Sequence, residues 1–290
     1  PGVVGAAAGI RNANRPINES GGFHSRLKGG FCKGDLVYTI FPKNAQQKLN
    51  IVGDRTIMKN NKLDQAILER YGLLPRFFPP HFNIKASNLM RRQRTIHKEF
   101  YEKKMIYIHI PKVAGSSIGE AILGHDKVGH YPARYIRDID NRFFDEAYKF
   151  TFVRNPWDRL YSAFSFLKNG GKGTWDSDWT QKYRVDLMDF EEFVIDFINE
   201  STVYSIIHLV PQIDFVLDKH GNSLMDYIGY FEELEEGMSV VSESTGFNFK
   251  VPRANVNEKV GYRDVYSKKM IDKVARVYQE DLNYLRYDFA

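Results

Sequence analysis

The sequence predicts an α/β domain over residues 104–290, with a central, mainly parallel sheet flanked by helices. Three observations predict it. Met105–Ile110 (MIYIHI) and Tyr148–Val153 (YKFTFV) are short apolar runs bounded by turn signals, as expected of strands buried on both faces. Each run leads through a tight turn into residues at helical spacing. Amphipathic helices fill much of the remainder, and buried strands alternating with such helices stack into layers around a parallel sheet.

The elements follow in order. Ser87–Lys104 reads as a helix with a basic face of Arg91, Arg92, Arg94, Lys98, Lys103 and Lys104. Met105–Ile110 is the first strand, Pro111–Gly115 a turn, and Ser116–Leu123 a helix stopped by Gly124. Tyr148–Val153 is the second strand. Arg154-Asn155-Pro156 breaks it, and Trp157–Phe166 continues as a helix, with Pro156 suited to its first turn. Gly170–Thr180 (GGKGTWDSDWT) reads as a flexible loop carrying Trp175 and Trp179, either a gate that stacks on a ring or a surface loop pinned by one Trp. Phe190, Phe193, Val194, Phe197 and Ile198 share a helix face that Asp189 can cap. Ile271, Val274, Tyr278, Leu282 and Leu285 define one last helix. Ahead of the domain, residues 1–30 read as loop, Leu36–Phe41 as a short strand and Leu63–Tyr71 as a helix ended by Gly72.

Composition narrows the function classes. A chain of 290 residues holds one large domain or two modest ones. Its single cysteine, Cys32, excludes an internal disulfide framework and points to a reducing compartment. No apolar run approaches the roughly 18–20 residues of a membrane span, and 21 Phe, 17 Tyr and 3 Trp rule out wholesale disorder. The net charge of +5 is unevenly distributed: residues 1–104 carry 19 basic and 7 acidic side chains, residues 105–290 carry 22 and 29. A basic segment, 1–103, thus precedes a mildly acidic domain, 104–290. The basic part suits a polyanion or an anionic membrane surface, or is simply solvated. It lacks the interleaved aromatics of a nucleic-acid platform, so nucleic acid is not expected.

Ligands of parallel sheets bind beyond the C-terminal strand ends, where both strand–turn–helix junctions fall. At the first, Lys112, Val113, Ala114, Gly115, Ser116 and Ser117 combine a cation, a glycine, two hydroxyls and a helix N-terminus, which together suit an anion. Lys112 precedes the glycine by three residues, whereas a Walker A lysine follows its second glycine, which argues against an ordinary ATP or GTP hydrolase. The alternative is a plain turn with Ser116 or Ser117 as N-cap. At the second junction, Arg154 ends a strand and Ser162 lies eight residues on, a guanidinium and a hydroxyl that can clamp a phosphate monoester. The alternative is that Arg154 or Arg159 pairs with a carboxylate such as Asp158.

Together, IPKVAGSS (Ile110–Ser117) and FVRNPWDRLYSAF (Phe152–Phe164), in this order, resemble the two signatures of the PAPS-dependent carbohydrate sulfotransferases, the group of the heparan 2-O-, chondroitin and HNK-1 enzymes and related bacterial proteins. His208–Gln212 resembles the group's H-x-x-P-Q stretch, Tyr227–Glu232 its V-G-R-F-E strand, and Arg253–Asn255 through Tyr287–Phe289 its closing turn and helix, so the likeness spans roughly Lys104–Ala290. The resemblance implies a P-loop-like three-layer fold. It implies an enzyme that moves a sulfuryl group from PAPS (3′-phosphoadenosine 5′-phosphosulfate) to a hydroxyl of an acceptor, a glycan by preference, with no metal. It also implies that Lys112, Val113, Ala114, Gly115, Ser116 and Ser117 hold the 5′-phosphosulfate, that Arg154 and Ser162 hold the 3′-phosphate, and that His130 is the catalytic base. His125 is the runner-up base, while His109 reads as a packed residue or one that supports the site from behind, and His208 as structural. Val113 and Ala114 replace glycine or threonine of the family loop, Tyr230 stands where Arg is usual, and Asn257 where Ser is common. Two rival functions are an ATP-dependent P-loop phosphotransferase and a non-catalytic module that binds PAP (3′-phosphoadenosine 5′-phosphate). The compartment read from the sequence is the cytoplasm, or the Golgi lumen if a membrane anchor precedes this chain.

Overall fold

The computed structural model describes residues 96–250 and 261–289. The expected strand at Leu36–Phe41, the helix at Leu63–Tyr71, Arg91, Arg92, Arg94, Arg253–Asn255 and Asn257 all lie outside the described residues.

Helix α1 (Lys98–Lys103) leads into β1 (Met105–Ile108). Then come α2 (Gly115–Leu123), α3 (Ala133–Ile139), α4 (Asn141–Glu146), β2 (Tyr148–Val153), α5 (Pro156–Lys168) and α6 (Thr174–Tyr183). A short turn, α7 (Phe190–Glu192), and α8 (Ile213–Val216) precede β3 (Tyr227–Tyr230), α9 (Leu234–Thr245), α10 (Lys268–Val277) and α11 (Gln279–Leu285). The strands form one parallel sheet in the order β1-β2-β3, with Met105 opposite Tyr148 and Phe150 opposite Tyr227. All four β1 residues are buried, as are Phe150–Val153 of β2, so the sheet is covered on both faces. Gly229 is needed where the sheet meets its neighbours: a Cβ there would lie 2.5 Å from Phe152 Cε1. The expected α/β architecture is the one observed.

Several expectations need correction. The Ser87–Lys104 helix begins at Lys98 within the described residues, because His97 is extended (φ −69°, ψ 146°) and its Nε2 donates to the Val128 carbonyl at 3.2 Å. The first strand ends at Ile108 rather than Ile110. Gly170–Thr180 is not a flexible loop, since Thr174–Tyr183 is helical with Asp176, Trp179 and Thr180 buried. Trp179 Nε1 donates to Ser205 Oγ at 3.3 Å, so one Trp does pin the segment. Asp189 caps its helix through a capping box with Glu192 as expected, but after one turn the chain widens into a π-type turn at Phe193–Phe197.

The last helix is two helices that bend at Tyr278 (φ −104°, ψ 24°). The bend lets the Tyr278 hydroxyl donate to the Leu209 carbonyl at 2.7 Å and lets Asp281 accept from the Gln212 and Ile213 amides at 2.9 and 3.0 Å. Burial raises the Asp281 carboxyl above its ordinary range, and the two amide bonds and Arg159 oppose that rise. Among the described residues no helix is long and apolar enough to cross a membrane.

Candidate active site

The turn after β1 is built for a close approach. Lys112 and Ala114 both take left-handed backbone conformations, with φ of 69° and 59°. Left-handed residues alternating around Val113 turn successive N–H groups to one side, the geometry of an anion-binding nest. Ala114 is the N-cap of α2, and no side chain caps that end. The first N–H groups of the nine-residue helix therefore point outward, with the positive end of its dipole behind them. Gly115 is buried, and a Cβ on it would overlap the His109 ring. The glycine thus admits an imidazole against the helix end as well as leaving the backbone accessible. Lys112 Nζ lies 4.1 Å from the centroid of the Phe166 ring, and Ser116 is exposed.

Arg154, just past β2, reaches across to this turn. Its Nη1 donates to the Lys112 carbonyl at 3.2 Å, and its Nε pairs with Asp158 Oδ2 at 2.6 Å. The carboxylate alternative at this junction is therefore real, and it coexists with the reach to Lys112. The guanidinium stacks 4.3 Å from the Phe231 centroid, just after β3. Nε and one Nη1 hydrogen are used, which leaves N–H donors in a planar fork. Ser162 is half-buried two turns further along α5.

Three imidazoles line the neighbouring wall. The His130 Nδ1 lies 3.2 Å from the His109 carbonyl oxygen. A carbonyl only accepts, so Nδ1 carries the hydrogen and Nε2 is the basic nitrogen. The His109 and His130 centroids are 4.2 Å apart, and His208 stands 5.9 Å from His130, edge-on. His208 also packs 5.0 Å from Phe166, the ring that carries Lys112. His125 sits elsewhere: its ring faces His97 at 5.4 Å, and its Nδ1 accepts from the Lys127 amide at 3.2 Å. Among the described residues no group of three or more His, Cys, Asp or Glu side chains is arranged to hold a metal ion.

Against known protein families, residues 100–288 match the model described as the sulfotransferase family. The chain belongs to the sulfotransferase family. An uncharacterized protein of Archaeoglobus fulgidus is 26% identical over 136 residues, 46% of this chain and 98% of that protein. No solved structure matches the chain. Sulfotransferase chemistry is transfer of a sulfuryl group from a sulfo donor to a hydroxyl-bearing acceptor.

In this sulfotransferase the residues that frame the site take partners the sequence did not indicate. Arg159, 2% exposed, is not paired with Asp158. Its Nε donates to the Pro111 carbonyl at 3.0 Å and its Nη2 to the His208 carbonyl at 3.3 Å, which ties the first junction to the H-x-x-P-Q stretch. Gln212, fully buried, bonds both backbone polar groups of Arg154. His208, read as structural, has its Nε2 3.2 Å from Oδ1 of Asp176, inside the segment expected to be a loop. The H-x-x-P-Q wording marked His208 and Gln212; nothing in the sequence marked Asp176. Tyr230, the departure from the family Arg, donates its hydroxyl to the Leu285 carbonyl at 3.3 Å.

Proposed function

We propose that this sulfotransferase takes PAPS as its donor and sulfates a hydroxyl of a carbohydrate acceptor. One observation carries the reading: Arg154 donates to the Lys112 carbonyl, so the cation after β2 and the uncapped helix end after β1 share one edge. A donor with phosphate groups on the 3′ and 5′ oxygens of one ribose needs two such anion sites side by side. Lys112 and the Val113–Ser117 turn suit the 5′-phosphosulfate, and Arg154 with Ser162 suits the 3′-phosphate.

The chemistry is an in-line displacement at sulfur. The acceptor oxygen bonds to sulfur as the bond from sulfur to the bridging oxygen of the 5′-phosphate breaks. His130 Nε2 takes the acceptor hydroxyl's proton, and PAP leaves with the bridging oxygen. Lys112 offsets the charge that grows on that oxygen. The transferred group bears less negative charge than a phosphoryl group, so a metal is less necessary. For a glycan acceptor the support is Trp175, an exposed aromatic next in sequence to Asp176 and able to stack on a sugar ring.

The test is thermal stabilisation by PAP without added metal, with 5′-AMP and ATP as controls. PAP at about 100 times its dissociation constant adds about 2.7 kcal/mol. A shift with PAP and none with 5′-AMP is expected. A parallel arm adds magnesium to the ATP control, and a shift there with none from PAP would replace the reading with a phosphotransferase. Screening of glycan hydroxyls then follows, and His130→Ala is expected to lower the rate by about 10²–10⁴ while PAP still binds.

A further inference from the structure

The wall behind His130 contains a second, buried pair whose chemistry bears on that histidine. His208 and Asp176 have side chains 6% and 2% exposed, and they meet through Nε2 and Oδ1 at 3.2 Å. The other carboxylate oxygen of Asp176 accepts from the Lys172 amide at 3.0 Å, and a Cβ on Gly171 would overlap the Asp176 side chain. Asp176 is therefore held by its own segment and does not depend on His208 for its position. A carboxylate bonded to an imidazole favours the protonated ring, while burial and the Arg159 guanidinium at the His208 carbonyl oppose it. That ring stands edge-on to His130 with centroids 5.9 Å apart. A positive charge at such a distance disfavours a second proton on His130.

We propose that the buried Asp176–His208 pair is the positioning pair of the base: it holds a positive charge beside His130 and so keeps His130 as the neutral, proton-accepting imidazole. The inference rests on the reading of His130 as the base. Other groups face the same place. The His109 ring lies 4.2 Å from His130, Arg159 donates to the His208 carbonyl, and Lys112 sits across the Phe166 ring from His208. Neither substitution below touches Lys112 or Arg159, so both remain as a common background. Asp176 and His208 are the members whose charge a substitution can change while those two remain in place.

The experiment is a pH titration of the histidine ring protons of the full chain by NMR. The chain has 8 histidines, and His130→Ala identifies the signal of interest. Asp176→Asn keeps the shape of the carboxylate and removes its charge, so His208 loses its proton more easily. The His130 titration is then expected to move to higher pH, by less than the loss of a lone cation would cause because the opposing carboxylate charge goes too. His208→Gln removes the cation and leaves the carboxylate, and is expected to move it at least as far in the same direction. The acidic limb of kcat/KM should move with the titration, with the PAP-induced thermal shift retained as evidence of folding. A merely structural pair would lower the melting temperature and leave the His130 titration where it was; that result in His208→Gln overturns the proposal even if Asp176→Asn does not fold. Coupling between the rings without any transfer from PAPS would sink the donor reading and leave the pair standing. Transfer without coupling would do the reverse.

Discussion

The Gln212 side chain satisfies both backbone polar groups of Arg154: Oε1 accepts from its amide at 2.9 Å and Nε2 donates to its carbonyl at 2.8 Å. One amide thus continues the hydrogen bonding of β2 beyond its last strand residue and aims the arginine. Gln212→Ala leaves two part-buried backbone groups of Arg154 unpaired, each costing up to about 1–3 kcal/mol. The expected result is a clearly lower melting temperature and weaker PAP binding. An unchanged PAP dissociation constant would mean that Gln212 does not orient Arg154.

Arg154 itself should decide between nucleotides. A lysine keeps the charge but not the planar fork that holds Asp158 on one edge. Arg154→Lys is expected to bring the PAP affinity down towards that for 5′-AMP, read by calorimetry. Retained discrimination would move the 3′-phosphate site elsewhere.

Gly115 and His109 form a lock that can be tested by a double change. Gly115→Ala drives a methyl group into the His109 ring and is expected to cost about 2 kcal/mol or more in urea unfolding, with loss of transfer. His109→Ala in the same chain opens the space, so the two changes together should cost less than the sum of each alone. Strict additivity would show that the overlap is relieved some other way.

Ala114 offers the opposite sign. A left-handed residue other than glycine costs roughly 1–2 kcal/mol, and Ala114 sits at φ 59°. Ala114→Gly removes that strain but frees the unfolded chain, so the expected net effect is a gain of about 0–1 kcal/mol. A fall in melting temperature would show that the Ala114 methyl group packs usefully.

His97 supplies a pH dependence. Burial lowers its pKa below the ordinary imidazole value of 6.5, against the opposing bond to the Val128 carbonyl. The unfolded chain therefore takes up this proton first. The histidine's contribution to stability is fully present above pH 6.5 and is lost as pH falls through 6.5 towards the lower folded value. His97→Gln should flatten the decline of stability over that window, read from urea midpoints at several pH values. An identical decline in both proteins would assign it to other groups.

Most of the scaffold was legible in the sequence, because burial on both faces writes strands as unbroken apolar runs. Tyr148–Val153 ends where expected, and Gly124 stops α2 in the left-handed conformation that suits glycine. The meeting of the two junctions was legible because parallel strands end at one edge, where Arg154 reaches the Lys112 carbonyl. Asp176 was hidden by its neighbours: Gly170, Gly171, Gly173 and Thr174 read as loop, and only the burial of Trp179 and Thr180 turns the segment into a helix. The break at Tyr278 was invisible because both helices keep one apolar period, and what separates them is hydrogen bonding to Leu209 and Gln212 across the fold. Tertiary bonding of that kind has no local signature.

The Asn155 side chain, next to Arg154, donates to the Asp288 carbonyl 133 residues later, and Tyr287 donates to Glu232, which in turn accepts from the Asn155 amide. A ribosome makes the strand that carries Arg154 long before it makes its support. The arginine's surroundings must therefore wait, half-assembled, for the residues around Tyr287 to leave the exit tunnel. Nascent chains stalled short of that point would hold the sheet without the finished surroundings of Arg154.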